Sequence, residues 1–272
     1  MDLSILIPVY NSNEIIEDLV KQIIDSVSDI KSVRFYEVIL IDDCSPDNSW
    51  EKIKFLSNKF NFVKGISLAE NFGQHNALMA GIKYSKGEKI ITMDDDLQHS
   101  PKSINDLLCE LDKGFDVCYT SYLNRQHETW KKIVSWTNNL VSSYLLNRPY
   151  KLYLSSYRGV KKKIADEITN YDGANVYIDG LILKITRNVT IIPVEHYKRS
   201  QGPSNYTFKK LLYLWSAMAV DFPIFPLRLA TIYGILIKAI IIFYKKIASI
   251  GKNKRPQYVI RATTFGKNNN SN

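Results

Sequence analysis

Strand-like apolar runs alternating with amphipathic segments organise the first 122 residues, and this alternation limits the folds open to the chain more than any other feature. The runs are LSILIPVY (3–10), YEVILIDDCSPDNS (36–49), VKGISLAENFG (63–73), KIITMDDD (89–96) and FDVCYTSY (115–122). Between them, residues 13–30, 49–60, 74–85 and 103–114 carry apolar side chains at helical spacing. Ser12 or Asn13 is placed to cap the first of these helices, and Gly114 to end the last. Strand–helix alternation predicts right-handed βαβ units and an α/β fold built on a single, mostly parallel sheet flanked by helices. Ligands of such sheets collect at the carboxyl ends of the strands. Tyr10, Asn11, Asp42, Asp43, Asp94 and Asp96 all fall at such ends.

The fourth run raises a question of charge. Ile90 to Met93 leads directly into Asp94, Asp95 and Asp96. Adjacent carboxylates repel, and desolvating them is costly unless something pairs with them. A divalent cation is the natural partner. The plainer alternative is a turn and helix-capping cluster ahead of the 103–114 helix. If strand geometry continues through the motif, residues 94 and 96 share a face and Asp95 points away. No GxGxxG or P-loop follows the first run, which disfavours a dinucleotide-binding dehydrogenase or a P-loop NTPase.

Five segments occur in order: ILIPVYNSNE, VILIDDCSPD, ENFGQHNALMAGI, IITMDDDLQHSP and KRSQGPSNYTFKKLL. Together they resemble family 2 glycosyltransferases, and within these the polyprenyl-phosphate sugar transferases. The resemblance runs over roughly residues 2–230 and resumes at RPQYVIR, 255–261. It implies a GT-A fold, a Rossmann-like sheet that holds a nucleotide-diphosphate sugar, with Mg2+ or Mn2+ as cofactor. Asp94 and Asp96 match the family's DxD aspartates and Gln98 a further metal ligand. Asp95 stands where Ala is usual. Pro8, Tyr10, Asn11, Asp42, Asp94, Asp95, Arg125, Arg199 and Ser204 would surround the donor, with Arg199 clamping its diphosphate through a guanidinium fork. Asp96 and Arg199 would be catalytic.

This chain departs from the family at several of these positions. Ser12 replaces a Glu, Tyr122 an Arg and Asn205 a Lys. Cys44 replaces the Gly of DDGS, and its Cβ disfavours a positive φ, so a different turn is expected. LSSYR (154–158) matches a family stretch only loosely. A polyprenyl phosphate is already anionic and needs no general base, whereas a hydroxyl acceptor does. Asp179 in YIDG is the candidate base for that second case, with a structural role equally open. His75 and His99 are read as supporting residues.

Charge is unevenly spread. From Lys198 onward there are thirteen Lys or Arg and one acid, Asp221, which leaves 23 basic (36 − 13) and 26 acidic (27 − 1) residues in 1–197. The same tail holds LATIYGILIKAIIIFY (229–244), followed by Lys245 and Lys246. This stretch is about four residues short of a spanning helix, and Lys238 lies inside it. Apolar next to basic favours an anionic membrane surface over nucleic acid, for which no binding motif accompanies the charge. The resulting expectation is a catalytic domain over 1–210, a membrane-associated helical segment over 211–250, and a basic, partly disordered tail over 251–272. The chain would sit on the cytoplasmic face of the inner membrane, peripheral or monotopic. A lipid-linked glycan hydroxyl is the alternative acceptor, a non-catalytic sugar-nucleotide-binding scaffold is a third reading, and a homo-oligomer stays open. No signal peptide is read at the N-terminus. Cys44, Cys109 and Cys118 are too few and too irregularly spaced for a disulfide framework or a zinc site.

Overall fold

A computed structural model describes residues 1–122, 154–173, 176–194 and 256–265. The strands are β1 (Leu3–Val9), β2 (Tyr36–Asp42), β3 (Val63–Leu68), β4 (Lys89–Thr92), β5 (Val117–Tyr122), β6 (Arg158–Lys161), β7 (Val189–Val194) and β8 (Ile260–Thr263). They form one sheet in the order β7-β5-β6-β4-β1-β2-β3-β8. The helices are α1 (Ile16–Ser28), α2 (Ser49–Lys59), α3 (Gln74–Tyr84), α4 (Ile104–Asp112), α5 (Lys162–Thr169) and α6 (Ile178–Ile185).

The central strands β4, β1, β2 and β3 are mutually parallel, as the βαβ reading requires. β1 is buried along its whole length, because both faces of the sheet are covered. Leu3, Ile5, Ile7 and Val9 pack with α1, α2 and α4. Leu6, Ile39 and Ile41 pack with α3, α5 and α6 on the opposite face. Pro8 lies within this central strand, where a proline normally removes a ladder bond. Leu6 points its carbonyl at β4 and accepts from Met93 N–H, so Pro8, two residues on, faces the same side. The β4 ladder has already ended there, at Leu6 opposite Thr92. The missing N–H therefore costs no strand pairing.

Residues 177–199 read from sequence as a helix followed by a final strand, which α6 and β7 match, whereas two strands were not read from sequence. β6 is antiparallel to both β4 and β5 and inserts between them. β8, within the expected basic tail, adds antiparallel to the edge of β3. The expected helix cap also differs. Ile15 occupies the cap position of α1 without a side-chain cap bond, because the hydroxyl of Ser12 is turned to Asp95. The segment 211–250 lies outside the described residues. Among the described residues, no helix is long and apolar enough to cross a membrane.

Candidate active site

The carboxyl ends of β4, β1 and β2 lie side by side in the sheet. The loops that follow them therefore meet, and the acidic triple is divided among separate partners. β4 ends at Thr92, so the chain bends before Asp94 and strand alternation does not continue through the motif. Asp95 does point away from its neighbours, as expected, but it does so at a bend. Its carboxylate accepts from Ser12 Oγ at 2.5 Å and from the backbone N–H of Tyr10 at 3.1 Å. Burial pushes Asp95 up to about 6, the two hydrogen bonds pull against that shift, and the charges of Asp94 and Asp96 add to it.

Asp94 is held from two sides. Gln74 Nε2, at the start of α3, donates to Oδ1 at 2.6 Å. Ser156 Oγ donates to Oδ2 at 2.5 Å. Ser156 is fixed in turn, since its carbonyl accepts from Thr92 Oγ1 at 2.6 Å. Asp96 Oδ1 accepts from the N–H of Gln98 at 3.1 Å, across Leu97, which has φ 58°. None of the three aspartates caps the following helix. Ser100 caps the 3-10 turn Pro101–Ser103 through the N–H of Lys102, and α4 has no side-chain cap. The turn-and-cap alternative therefore loses its cap.

Asp42 and Asp43 close the end of β2. Asp42 is fully buried; its carboxylate accepts from Ser45 N–H and Ser67 Oγ, each at 3.0 Å, and lies 3.6 Å from the guanidinium of Arg261. Asp43 accepts from the N–H groups of Phe72 and Gly73, both at 2.8 Å, and burial raises its pKa against those bonds. Gly73 has φ 87° and leads directly into Gln74, so Asp43 sets the entry to α3 and the position of the residue that holds Asp94. Cys44 has φ 56°. The turn that normally uses Gly is kept, and the expectation of a different turn is corrected: the bonds made by Asp42 and Asp43 on either side hold the left-handed conformation. Asn11 also has a positive φ, 59°, which an Asn tolerates well. Its N–H donates to Ser45 Oγ at 3.1 Å, and Tyr10 is 44% exposed beside it.

Asp179 forms an ion pair with Arg158 in which both side chains are buried. Arg158 Nε also donates to Thr92 Oγ1 at 3.2 Å. The candidate base is thus engaged inside the core, and the structural alternative is the one with observed partners. His75 packs edge-on against Tyr177; burial, with the charge of Arg158 adding, lowers its pKa to about 3. His99 stacks at a tilt on Tyr157. Arg125, Arg199 and Ser204 lie outside the described residues. The supporting roles of Gln74, Ser156 and Arg158 were not read from sequence. Gln74 lay within a quoted motif, whereas Ser156 and Arg158 lay in a loosely matching stretch.

The donors at the end of β4 are carboxylates and an amide, hard oxygen ligands suited to Mg2+ or Mn2+. Among the described residues, no three His, Cys, Asp or Glu group to hold a metal ion. Mg2+ is usually carried by one or two carboxylates, with the remaining ligands coming from phosphate and water.

The family model for glycosyl transferase family 2 matches residues 4–173. Over 235 residues the chain is 33% identical to undecaprenyl-phosphate 4-deoxy-4-formamido-L-arabinose transferase of Proteus mirabilis, a match covering 86% of this chain and 72% of that protein. The protein of the same name from Salmonella choleraesuis is also 33% identical, with 86% and 71% covered. Among solved structures, glucosyl-3-phosphoglycerate synthase from Mycobacterium tuberculosis, in complex with Mn2+ and UDP-glucose, superposes with a TM-score of 0.59 at 16% identity, covering 82% of this chain and 79% of that one. TarS from S. aureus, in complex with UDP-GlcNAc, gives 0.55 at 19% identity over 82% and 67%. At such identities the structural likeness is one of fold.

Proposed function

Because the chain belongs to glycosyl transferase family 2 and is a glycosyltransferase, we propose that it moves a sugar from a nucleotide-diphosphate donor to a polyprenyl phosphate at the cytoplasmic membrane face. The observation that carries this reading is the division of the acidic triple. Asp94 is held by Gln74 and Ser156, Asp95 is tied to the β1 loop, and Asp96 remains beside Gln98. Asp94, Asp96 and Gln98, the positions that match the family's metal ligands, would be the oxygen donors for Mg2+ or Mn2+. When bound there, the ion neutralises charge on the departing nucleoside diphosphate.

The nucleoside would lie toward Tyr10, Asn11 and the end of β2. Arg199 and Arg125 would add positive charge at the phosphates and Ser204 a hydrogen bond. An oxygen of the lipid phosphate attacks C1 of the sugar. A new C1–O bond forms as the bond to the diphosphate breaks, and one displacement inverts the anomeric centre. The nucleophile carries its own negative charge, so no side chain has to take a proton. The burial of Asp179 against Arg158 supports an acceptor of that kind. Support for the lipid comes from the curated relatives, whose names specify undecaprenyl phosphate, and from the basic, apolar tail.

The test is nucleotide release from a panel of UDP-, GDP- and dTDP-sugars with Mn2+, in vesicles with and without undecaprenyl phosphate. Release should require the lipid phosphate, fall to background with EDTA, and be lost in Asp96→Ala. Metal-dependent nucleotide binding without lipid-dependent release would replace the lipid phosphate by a glycan hydroxyl acceptor.

A further inference from the structure

The C-terminal strand brings a cation to the end of β2. β8 pairs with β3 so that Ala262 lies opposite Ser67 and Ile260 opposite Leu68. Arg261 is therefore the extra residue of a β-bulge, a device that re-aims a side chain out of the regular ladder. Arg261 Nη2 donates to Ser67 Oγ at 2.7 Å and sits 3.6 Å from Asp42 Oδ2. The Asp42 carboxylate has no exposed surface, while the Arg261 side chain is 49% exposed. The family resemblance puts Asp42 beside the donor, and the group that reaches solvent there is the guanidinium of Arg261.

We propose that Arg261 is a donor-binding residue, that it contacts the nucleoside part of the sugar nucleotide, and that Asp42 and Ser67 position it. The inference rests on the donor-binding reading above. Distance along the sheet separates the nucleoside from the diphosphate. The metal-ligand candidates follow β4, and Asp42 ends β2, two strands away in the order β4-β1-β2. Two strand spacings are ~10 Å, a separation that puts the diphosphate at β4 and the base or ribose at β2. Asp42 and Ser67 engage one end of the guanidinium, and its other N–H groups suit carbonyl or hydroxyl oxygens on a nucleoside. A carboxylate beneath it keeps the fork in one orientation and holds down its net charge, which favours a neutral contact over a second phosphate clamp.

The experiment compares full-length wild type with Arg261→Ala by calorimetry in Mn2+. The ligands are UDP, GDP and dTDP on one side and inorganic pyrophosphate on the other. For whichever nucleotide the wild type binds, Arg261→Ala should raise Kd about 10-fold and leave pyrophosphate affinity unchanged. Equal nucleotide affinity in variant and wild type would reduce Arg261 to a structural strand residue. Equal losses for nucleotide and pyrophosphate would place it at the phosphates and overturn the proposal. If the alanine variant does not fold, Arg261→Lys, which keeps a cation beside Asp42, is judged by the same two criteria. A wild type that binds no nucleotide would fail the donor-binding reading itself, and the proposal with it.

Discussion

Arg158 and Asp179 form an ion pair inside the core, joining β6 to α6. Arg158 is 1% exposed and Asp179 8%. Burial depresses the Arg158 pKa from its ordinary value, with the charges of Tyr119, Tyr177 and Asp94 acting the other way. Removing one partner of such a pair strands the other charge in the interior, at a cost of about 3–5 kcal/mol. Asp179→Ala should therefore lower the urea midpoint strongly, and activity should fall in step with the folded fraction. A general base would behave differently. Its loss would leave stability nearly intact, cut turnover and change the pH–rate profile. An Asp179→Ala protein that melts like wild type but has lost turnover would restore the base role.

Asp95 gives the site a pH dependence. Its folded pKa is raised from 3.8 to about 6, so the folded state holds this proton more tightly than the unfolded chain does. The stability it contributes is fully present below about 4 and is lost as pH rises through about 6. A shift of that size corresponds to about 2–3 kcal/mol. Asp95→Asn, which cannot ionise, should flatten the fall in stability between those limits. Mn2+ favours the ionised form of a neighbouring carboxylate and should move the midpoint downward. Urea unfolding at stepped pH, with and without Mn2+, measures both effects.

The central strands are legible in the sequence because burial on both faces makes them continuous apolar runs, as in SILIPV and VILID. β6 and β8 are not legible for the complementary reason. RGVK and IRAT are four-residue strands with charged side chains, and nothing in their pattern separates them from loop. At the site, the acidic triple announces itself through the cost of adjacent charge. Its supports do not. Ser156 is a neutral residue 62 positions from Asp94, and only the fold brings it there. Arg261 was quoted within a motif, but its approach to Asp42 depends on a bulge that no sequence pattern specifies.

The two donors on Asp94 provide a test of its orientation. Gln74 and Ser156 each hold one carboxylate oxygen. Partners of a ligating carboxylate typically change metal affinity 10–100-fold when removed. Gln74→Ala and Ser156→Ala should each weaken Mn2+ binding in the presence of nucleotide by about 10-fold, read by the loss of free-Mn2+ EPR signal, with little change in thermal midpoint. Unchanged Mn2+ affinity in both variants would remove Asp94 from the metal site.

Cys44 offers the sharpest test of the β2 turn. Its φ of 56° places a side chain in a region that costs an L-residue roughly 1–2 kcal/mol. The conformation is imposed from both sides. Asp42 Oδ1 accepts from Ser45 N–H across the turn, and Asp43 is tied to Phe72 and Gly73. Glycine meets no such cost, although it is more flexible in the unfolded chain by about 0.5–1 kcal/mol. The two effects nearly cancel, so Cys44→Gly should match or slightly exceed wild type in urea. A β-branched side chain fits this region worst, and Cys44→Val should lose about 1–2 kcal/mol relative to the glycine variant. Equal stability of the two variants would mean that residue 44 can leave the left-handed region, and that Asp42 and Asp43 do not hold the turn.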